Sequence, residues 1–385
     1  MLYPHQIEAS KSLIKICKTK GCAYLFGPPR VGKTLTALEA ATQLNNLFSK
    51  PKKIIVFTRK NAIEGWIKYN DIYTFEVVNY EKIVKLKKDD YSLVIIDEAH
   101  NFSAFPKPSQ RIKDFKAFCV NKPILFLSGT PFVEGYLKAY SQFSISSYSP
   151  FKDFKTPYSF FNTYGISHKK YLAGRMIETY SKCKIIEIEK LLKPYIVKLT
   201  YKDAGFTYQN YDEVFLIESK YKELEKKVRI QCVLDKNILE TASSVNQCLH
   251  QLCGGWFRGT LYSQEKLLWL KKYISKAKGK TAIMAYFIEE QEELSKIFKD
   301  CTILSSTKYC EGIDLSHYDN FILYSFGYSG SKFIQLRDRI VNLTKDKPTK
   351  VIIPLLKDGI DKNIYEVVSK KKNFNLKSFS KEENA

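Results

Sequence analysis

The chain has 385 residues, with 62 Lys or Arg against 40 Asp or Glu and a formal net charge of +22. That excess draws it to polyanions, nucleic acid above all, while a 44% hydrophobic and 14% aromatic share excludes a disordered chain. No apolar run approaches the roughly 20 residues of a membrane span, and the opening Met1-Leu2-Tyr3-Pro4-His5 lacks a signal-peptide layout.

Ile7, Leu13, Ile14 and Cys17 recur at helical spacing. Residues 22–26 form a short apolar strand, followed by a Gly/Pro turn and a helix over about 33–47. Further strands are expected at 53–58, 75–79, 93–97 and 124–128, with helices between them, one near 61–69. This alternation predicts α/β architecture, a parallel sheet covered on both faces. Residues 133–200, rich in Tyr, Phe, Ser and Lys, read as a mostly helical insertion. Long helices are expected at 220–249 and 264–277, so 201–279 leads as a helical segment into a second alternation. There, strands fall at 281–287, 302–305, 320–325 and 350–355, and helices near 289–298, 331–342 and 362–371. The expected division is 1–132, 133–200, 201–279, 280–372 and a frayed tail at 373–385.

Nine scattered cysteines without a Cys-x-x-Cys pair point to free thiols in a reducing compartment. Cys248, His250 and Cys253 cluster most tightly and read as the core face of a helix, since no second pair completes four zinc ligands. The positive charge is mostly Lys, because Arg occupies only eight positions, which supplies phosphate attraction without a base-reading fork. It is also uneven. Residues 1–200 hold 32 basic and 16 acidic residues, a net +16, and the remainder 30 and 24, a net +6.

Gly27-Pro28-Pro29-Arg30-Val31-Gly32-Lys33-Thr34 fits G-x-x-x-x-G-K-[ST] between an expected strand and an expected helix. The glycines admit backbone N–H groups to phosphate oxygens, and the helix N-terminus adds its dipole. Lys33 is placed to reach the β- and γ-phosphates and the Thr34 hydroxyl to ligate Mg²⁺. The apolar run Leu93-Val94-Ile95-Ile96 delivers Asp97-Glu98-Ala99-His100 at a strand end. Asp97 is assigned to Mg²⁺ through water, Glu98 to polarising the attacking water, and His100 to sensing the γ-phosphate. After another strand, Ser128-Gly129-Thr130-Pro131 supplies small hydroxyl residues that can couple the nucleotide site to a second domain. Thr58, Arg59 and Lys60 after one strand, and Ser306, Thr307 and Lys308 after another, are candidate phosphate grips on nucleic acid. Phe154, Tyr158, Phe160, Phe161, Tyr164 and Tyr171, among basic residues, read either as a binding flap or as the insertion's own core.

In this order the three N-terminal motifs resemble those of superfamily 2 helicases. Finer features resemble the Swi/Snf-type branch, especially compact versions in bacteriophage genomes. Tyr3-Pro4-His5-Gln6 is similar to the adenine-recognising Gln motif, and the strand over 54–58 followed by Trp66 to motif Ia. Asn79-Tyr80-Glu81 and Pro108-Ser109-Gln110-Arg111 match flanking segments of the first half. Cys310-Glu311-Gly312-Ile313-Asp314-Leu315 resembles motif V, and Gln335-Leu336-Arg337-Asp338-Arg339 motif VI. Gly359-Ile360-Asp361 to Tyr365 resembles the family's closing helix.

The resemblance implies two RecA-like lobes, at 1–132 and 280–372, with ATP and Mg²⁺ between them and nucleic acid across both. It adds Gln6, Gly312 and Asp314 to the nucleotide contacts, Arg339 as the arginine finger and Gln335 beside it. Two departures stand out. The family's second motif VI Arg is here Asn342, and only about twenty residues separate the 281–287 strand from motif V. The function implied is an ATP-dependent translocase or remodelling helicase on DNA, duplex or branched, with RNA as the other candidate partner, in the cytoplasm (the bacterial host's if the chain is phage-encoded) and without a membrane partner. Two alternatives stand beside it: a helicase that unwinds branched DNA or RNA, and a nucleic-acid clamp or adaptor with ATP as a slow switch.

Overall fold

The computed structural model describes residues 2–132, 135–172, 175–206, 211–235, 237–307, 315, 317–338 and 350–370. The chain divides into two compact units, Met1–Phe206 and Thr207–Ala385. Each holds one parallel sheet flanked by helices, the α/β class that the sequence alternation predicts.

In the first unit the order is α1 (Pro4–Lys20), β1 (Cys22–Phe26), α2 (Lys33–Asn45), β2 (Lys53–Thr58), α3 (Ile63–Ile67), β3 (Glu76–Asn79), β4 (Tyr91–Ile96), α4 (Gln110–Phe118), β5 (Ile124–Ser128) and α5 (Lys138–Phe143). It continues with α6 (Pro157–Tyr164), β6 (Gly165–Leu172), β7 (Arg175–Cys183), α7 (Ile185–Leu192) and β8 (Ile196–Lys198). The sheet order is β3-β2-β4-β5-β1-β8, with every pairing parallel. Strands buried on both faces need unbroken apolar runs, which Ile54–Phe57, Leu93–Ile96 and Ile124–Leu127 provide. Alternate side chains fill two cores. Ile55, Phe57, Val94, Ile96 and Phe126 face one layer, and Ile54, Val56, Leu93, Ile95 and Leu125 the other. α1 starts at Pro4, where the fixed φ suits a first helical turn, and stops at Gly21 in the left-handed region (φ 71°). A Cβ at Gly21 would lie 2.2 Å from the Tyr148 ring, so only glycine fits this stop.

Residues 133–200 differ from the expectation of a mostly helical insertion. After α5 and α6 comes an antiparallel hairpin of β6 and β7, and the segment ends in β8, which pairs with β1 and extends the first sheet. The Leu199 amide prolongs that edge by donating to the Phe26 carbonyl at 2.8 Å. Phe160 and Phe161 are buried, with Phe154 and Tyr164 packed against the same core, which the insertion shares with one face of the first sheet, so these four form neither a flap nor a core of the insertion alone. Tyr158 is exposed.

The second unit runs β9 (Tyr211–Ile217), α8 (Tyr221–Gln231), β10 (Val233–Leu234), β11 (Asn237–Ile238), α9 (Ala242–Gly254), β12 (Trp256–Phe257), β13 (Thr260–Leu261) and α10 (Glu265–Ile274). Then follow β14 (Thr281–Ala285), α11 (Ile288–Ile297), β15 (Thr302–Ser305), β16 (Asn320–Leu323), α12 (Gly330–Arg337), β17 (Lys350–Leu356) and α13 (Ile360–Val368). Its sheet order is β15-β14-β16-β17-β9, again parallel. β9 was not expected in the helical 201–279 segment. The long helix expected over 220–249 is broken by the β10–β11 hairpin, where Cys232 and Asp235 take positive φ (49° and 52°). Cys248, His250 and Cys253 are all buried on α9, and burial lowers the His250 imidazole to about 3. Lys266 and Asp361 form a buried ion pair at 2.9 Å between α10 and α13. Among the described residues no helix is long and apolar enough to cross a membrane.

Candidate nucleotide site

Parallel α/β sheets present ligands at the carboxyl ends of their strands. In the first unit that edge gathers three segments, the Gly27–Thr34 loop after β1, Asp97 to His100 after β4, and Ser128 to Thr130 after β5. β5 lies between β1 and β4 in the sheet, so the three are neighbours. A Cβ at Gly129 would stand 3.6 Å from the Gly27 carbonyl and 4.0 Å from Lys33 Nζ.

The loop is held open from behind by α1. Arg30 (φ 72°) and Gly32 (φ 83°) both take left-handed backbone, curling the chain into the first turn of α2. A Cβ on Gly32 would fall 1.9 Å from Gln6 Nε2 and displace that amide, and the positive φ itself favours glycine here. His5 Nε2 lies 3.1 Å from the Val31 carbonyl. Gln6 departs from its expected role. It is 3% exposed, its Nε2 donates to the Gly32 carbonyl (3.4 Å), and its Oε1 accepts from the Tyr3 amide (2.8 Å). Nε2 thus braces the loop while Oε1 caps the first turn of α1, so both amide atoms have protein partners in this structure. Inside the curl, Lys33 Nζ donates to the carbonyls of Gly27 (2.7 Å) and Pro28 (2.9 Å). Thr34 is half-buried in the first turn of α2.

Asp97 is the most tightly held group of the site. Its Oδ2 accepts from Thr58 Oγ1 (2.8 Å) and Trp66 Nε1 (3.1 Å), and its Oδ1 from the Glu98 amide (3.0 Å). Tyr80 donates its hydroxyl to the Asp97 carbonyl at 2.5 Å. Burial first, then the Glu98 charge, raises the Asp97 carboxyl, while Thr58, Trp66 and Lys33 pull it back. Thr58 is therefore corrected. It was expected to grip nucleic acid, but it is wholly buried and serves the carboxylate. Glu98 takes a left-handed conformation (φ 46°), unusual for a residue with a Cβ and the kind of strain found at functional sites. His100 Nδ1 lies 3.2 Å from Glu98 Oε2 and 3.0 Å from Ser128 Oγ, bridging the two segments. Ser128 Oγ in turn accepts from the Thr130 amide (3.0 Å).

Arg59, half-buried, donates to Asn101 Oδ1 at 2.5 Å, and Lys60 is exposed beside it. In the second unit, Ser306 is 5% exposed and Thr307 is exposed at the end of β15. Gln335 is buried in α12. Arg337 is held by Asp212 (3.6 Å) and Asp338 (3.5 Å). Lys308, Gly312, Asp314 and Arg339 lie outside the described residues, as does Asn342. Sequence reasoning noticed Trp66 but gave it no role. Its indole meets Asp97 across 31 positions, which no local pattern reveals.

The fold and this edge define an α/β protein that brings a glycine-rich lysine loop, an acidic strand end and a histidine-serine bridge together. No protein-family model matches the chain, and no curated protein matches it by sequence. Among solved structures the chain is similar to the Sulfolobus solfataricus SWI2/SNF2 ATPase core in complex with dsDNA, at 15% identity and a TM-score of 0.46, over 96% of this chain and 91% of that one. It is also similar to the Sulfolobus solfataricus SWI2/SNF2 ATPase core domain, at 13% identity and a TM-score of 0.43, over 96% and 88%.

Proposed function

We propose that the chain is an ATP- and Mg²⁺-dependent motor that couples hydrolysis to movement on, or remodelling of, DNA. The observation that carries this is the convergence of Lys33, Asp97, Glu98 and the His100–Ser128 bridge on one strand edge. Phosphoryl transfer needs little covalent help, only positioning and charge neutralisation. Lys33, whose Nζ donates to the Gly27 and Pro28 carbonyls in this structure, supplies a cation to the β- and γ-phosphates. Thr34 and Asp97 offer the hard oxygen donors that suit Mg²⁺. With three protein donors already on the Asp97 carboxylate, it is fitted to hold metal-bound water rather than the ion itself. When bound, Mg²⁺ would neutralise charge on the phosphates. Glu98 orients and polarises the attacking water. His100 then links the state of that carboxylate to Ser128 and Thr130, a physical route for coupling hydrolysis to motion. Arg339, from the second unit, is the proposed arginine finger, with Gln335 nearby.

DNA as the track is supported by the +22 charge and its concentration in residues 1–200. Asn342, standing where the resembled family has an Arg, favours a second reading, a DNA clamp that hydrolyses slowly. ATP turnover measured with and without DNA separates the two. The motor requires turnover that DNA stimulates, lost at least 100-fold in Lys33→Ala and in Glu98→Gln, the latter with ATP affinity retained. Undiminished turnover in either variant would sink the site, and tight DNA binding with negligible turnover would select the clamp.

A further inference from the structure

The second unit carries a cavity of about 190 Å³ that the nucleotide chemistry does not use. It opens beyond the carboxyl ends of β14, β15 and β16, through Tyr286, Ser306 with Thr307, and Phe326 to Ser329. The chain passes from β14 to β15 on one side and then to β16 on the other. This is a topological switch point, the place where open parallel sheets bind ligands.

Its lining has two characters. Phe326 and Phe333, both 2% exposed, pack edge to face with centroids 5.0 Å apart and form an apolar floor. Tyr286 and Tyr328 stand half-buried above them, 6.4 Å apart, with the Tyr328 hydroxyl 3.1 Å from His250 Nδ1. The other character is polar. Ser306 is one of the lining residues, and among the described residues its buried hydroxyl has no hydrogen-bond partner. Leaving such a group unsatisfied is costly, which points to a ligand atom that completes it. The N-terminus of α12, capped by Ser329, and the exposed Lys332 in its first turn supply positive potential at the rim.

These features select an amphipathic occupant with a flat ring and an anion. An engineered apolar cavity of about 150 Å³ takes a benzene ring, so this volume suits a single ring system. A bare phosphate would be stripped of water against Phe326 and Phe333, and a plain hydrocarbon would leave Ser306 unsatisfied. We propose that the pocket takes one unstacked nucleotide of a single nucleic-acid strand, its base against Tyr286 and Tyr328, its phosphate at Lys332 and the α12 N-terminus. Ser306 then meets a polar edge of the base. This deepens, and rests on, the reading of the chain as a nucleic-acid-bound ATPase, and it makes the second unit a reader of exposed bases rather than of backbone alone.

The test compares binding of the full chain to a short oligothymidylate and to the same phosphodiester backbone made wholly abasic. The expected result is about tenfold tighter binding of the base-containing strand. Tyr328→Ser erases that preference, Tyr328→Phe keeps it, and Lys332→Gln weakens both strands and lowers the salt slope by about one. Melting midpoints check that the variants fold, and the wild-type comparison needs no variant. Equal binding of both strands by the wild type, with DNA-stimulated ATP turnover intact, overturns the pocket and spares the motor. Free thymidine monophosphate displacing the strand at comparable concentration overturns the strand-borne occupant. Failure to bind any strand overturns both readings, whereas a preference for the base-containing strand without ATP turnover keeps the pocket and overturns the motor.

Discussion

At the scale of residues, the candidate site turns on how Asp97 is held. A buried carboxylate next to Glu98 is pushed toward its neutral form, and the Thr58 hydroxyl and Trp66 indole oppose that push. Trp66→Phe removes one N–H donor while keeping most of the ring. A hydrogen bond to a charged group contributes about 1.5–3 kcal/mol, so turnover should fall roughly tenfold or more with ATP affinity little changed. The direction of the pH effect follows from the sign. Losing a donor that lowers the Asp97 pKa raises it further, so the acidic limb of the rate profile moves to higher pH. A rate profile that falls in height without moving along the pH axis would show that Trp66 only packs. The sequence made Lys33, Asp97 and Glu98 legible because their motifs are short and local. The reassignment of Thr58 and Gln6 was not legible, because their partners, Asp97 and Gly32, lie 39 and 26 positions away.

At the scale of elements, strands buried on both faces were read well and edge strands unevenly. β1, β2 and β5 fall at the residues their apolar runs mark, and so does the edge strand β15. β8 and β9 were missed for a common reason. β8 has only three residues, and β9 carries the polar Asp212-Glu213 between Tyr211 and Val214, as edge strands with one wet side tend to do. The break between α8 and α9 was hidden because residues 220–249 contain neither Gly nor Pro, and Cys232 and Asp235 adopt positive φ instead. α11 carries a further consequence. Glu290 is buried, accepts from Ser325 and from the Phe287 amide, and among the described residues its Oε1, against Gly254, has no hydrogen-bond partner. Burial raises its carboxyl from the ordinary 4.5 to about 7. An acid whose folded pKa is raised favours folding below its unfolded pKa, and that contribution is lost as pH rises through the folded value. The second unit should therefore weaken between about pH 4.5 and 7, by roughly 3 kcal/mol if the whole shift is realised. Glu290→Gln should flatten this dependence and raise the melting midpoint at pH 8. An identical pH dependence of melting in the variant would assign it to other groups.

At the scale of the whole molecule, the charge and the fold make a joint prediction. A chain that tracks phosphates through Lys should lose DNA affinity steeply with salt, with a log-log slope of magnitude about 5 or more. Lys60→Gln, at the exposed end of β2, should reduce that slope by about one without altering any preference for sequence. A shallow wild-type slope would mean that the +22 only solvates the surface. A last consequence belongs to β8. It joins β1 side by side and in parallel, and Leu199 fastens it to Phe26, one residue before the Gly27 loop. Tension drawn along the polypeptide toward Thr207 would load those bonds in shear, several at once, instead of unzipping them singly. The Gly27 loop, proposed to cradle the nucleotide, is thus moored next to the strand that such tension would load, where a Cβ on Gly27 would stand 3.1 Å from Leu199 Cβ.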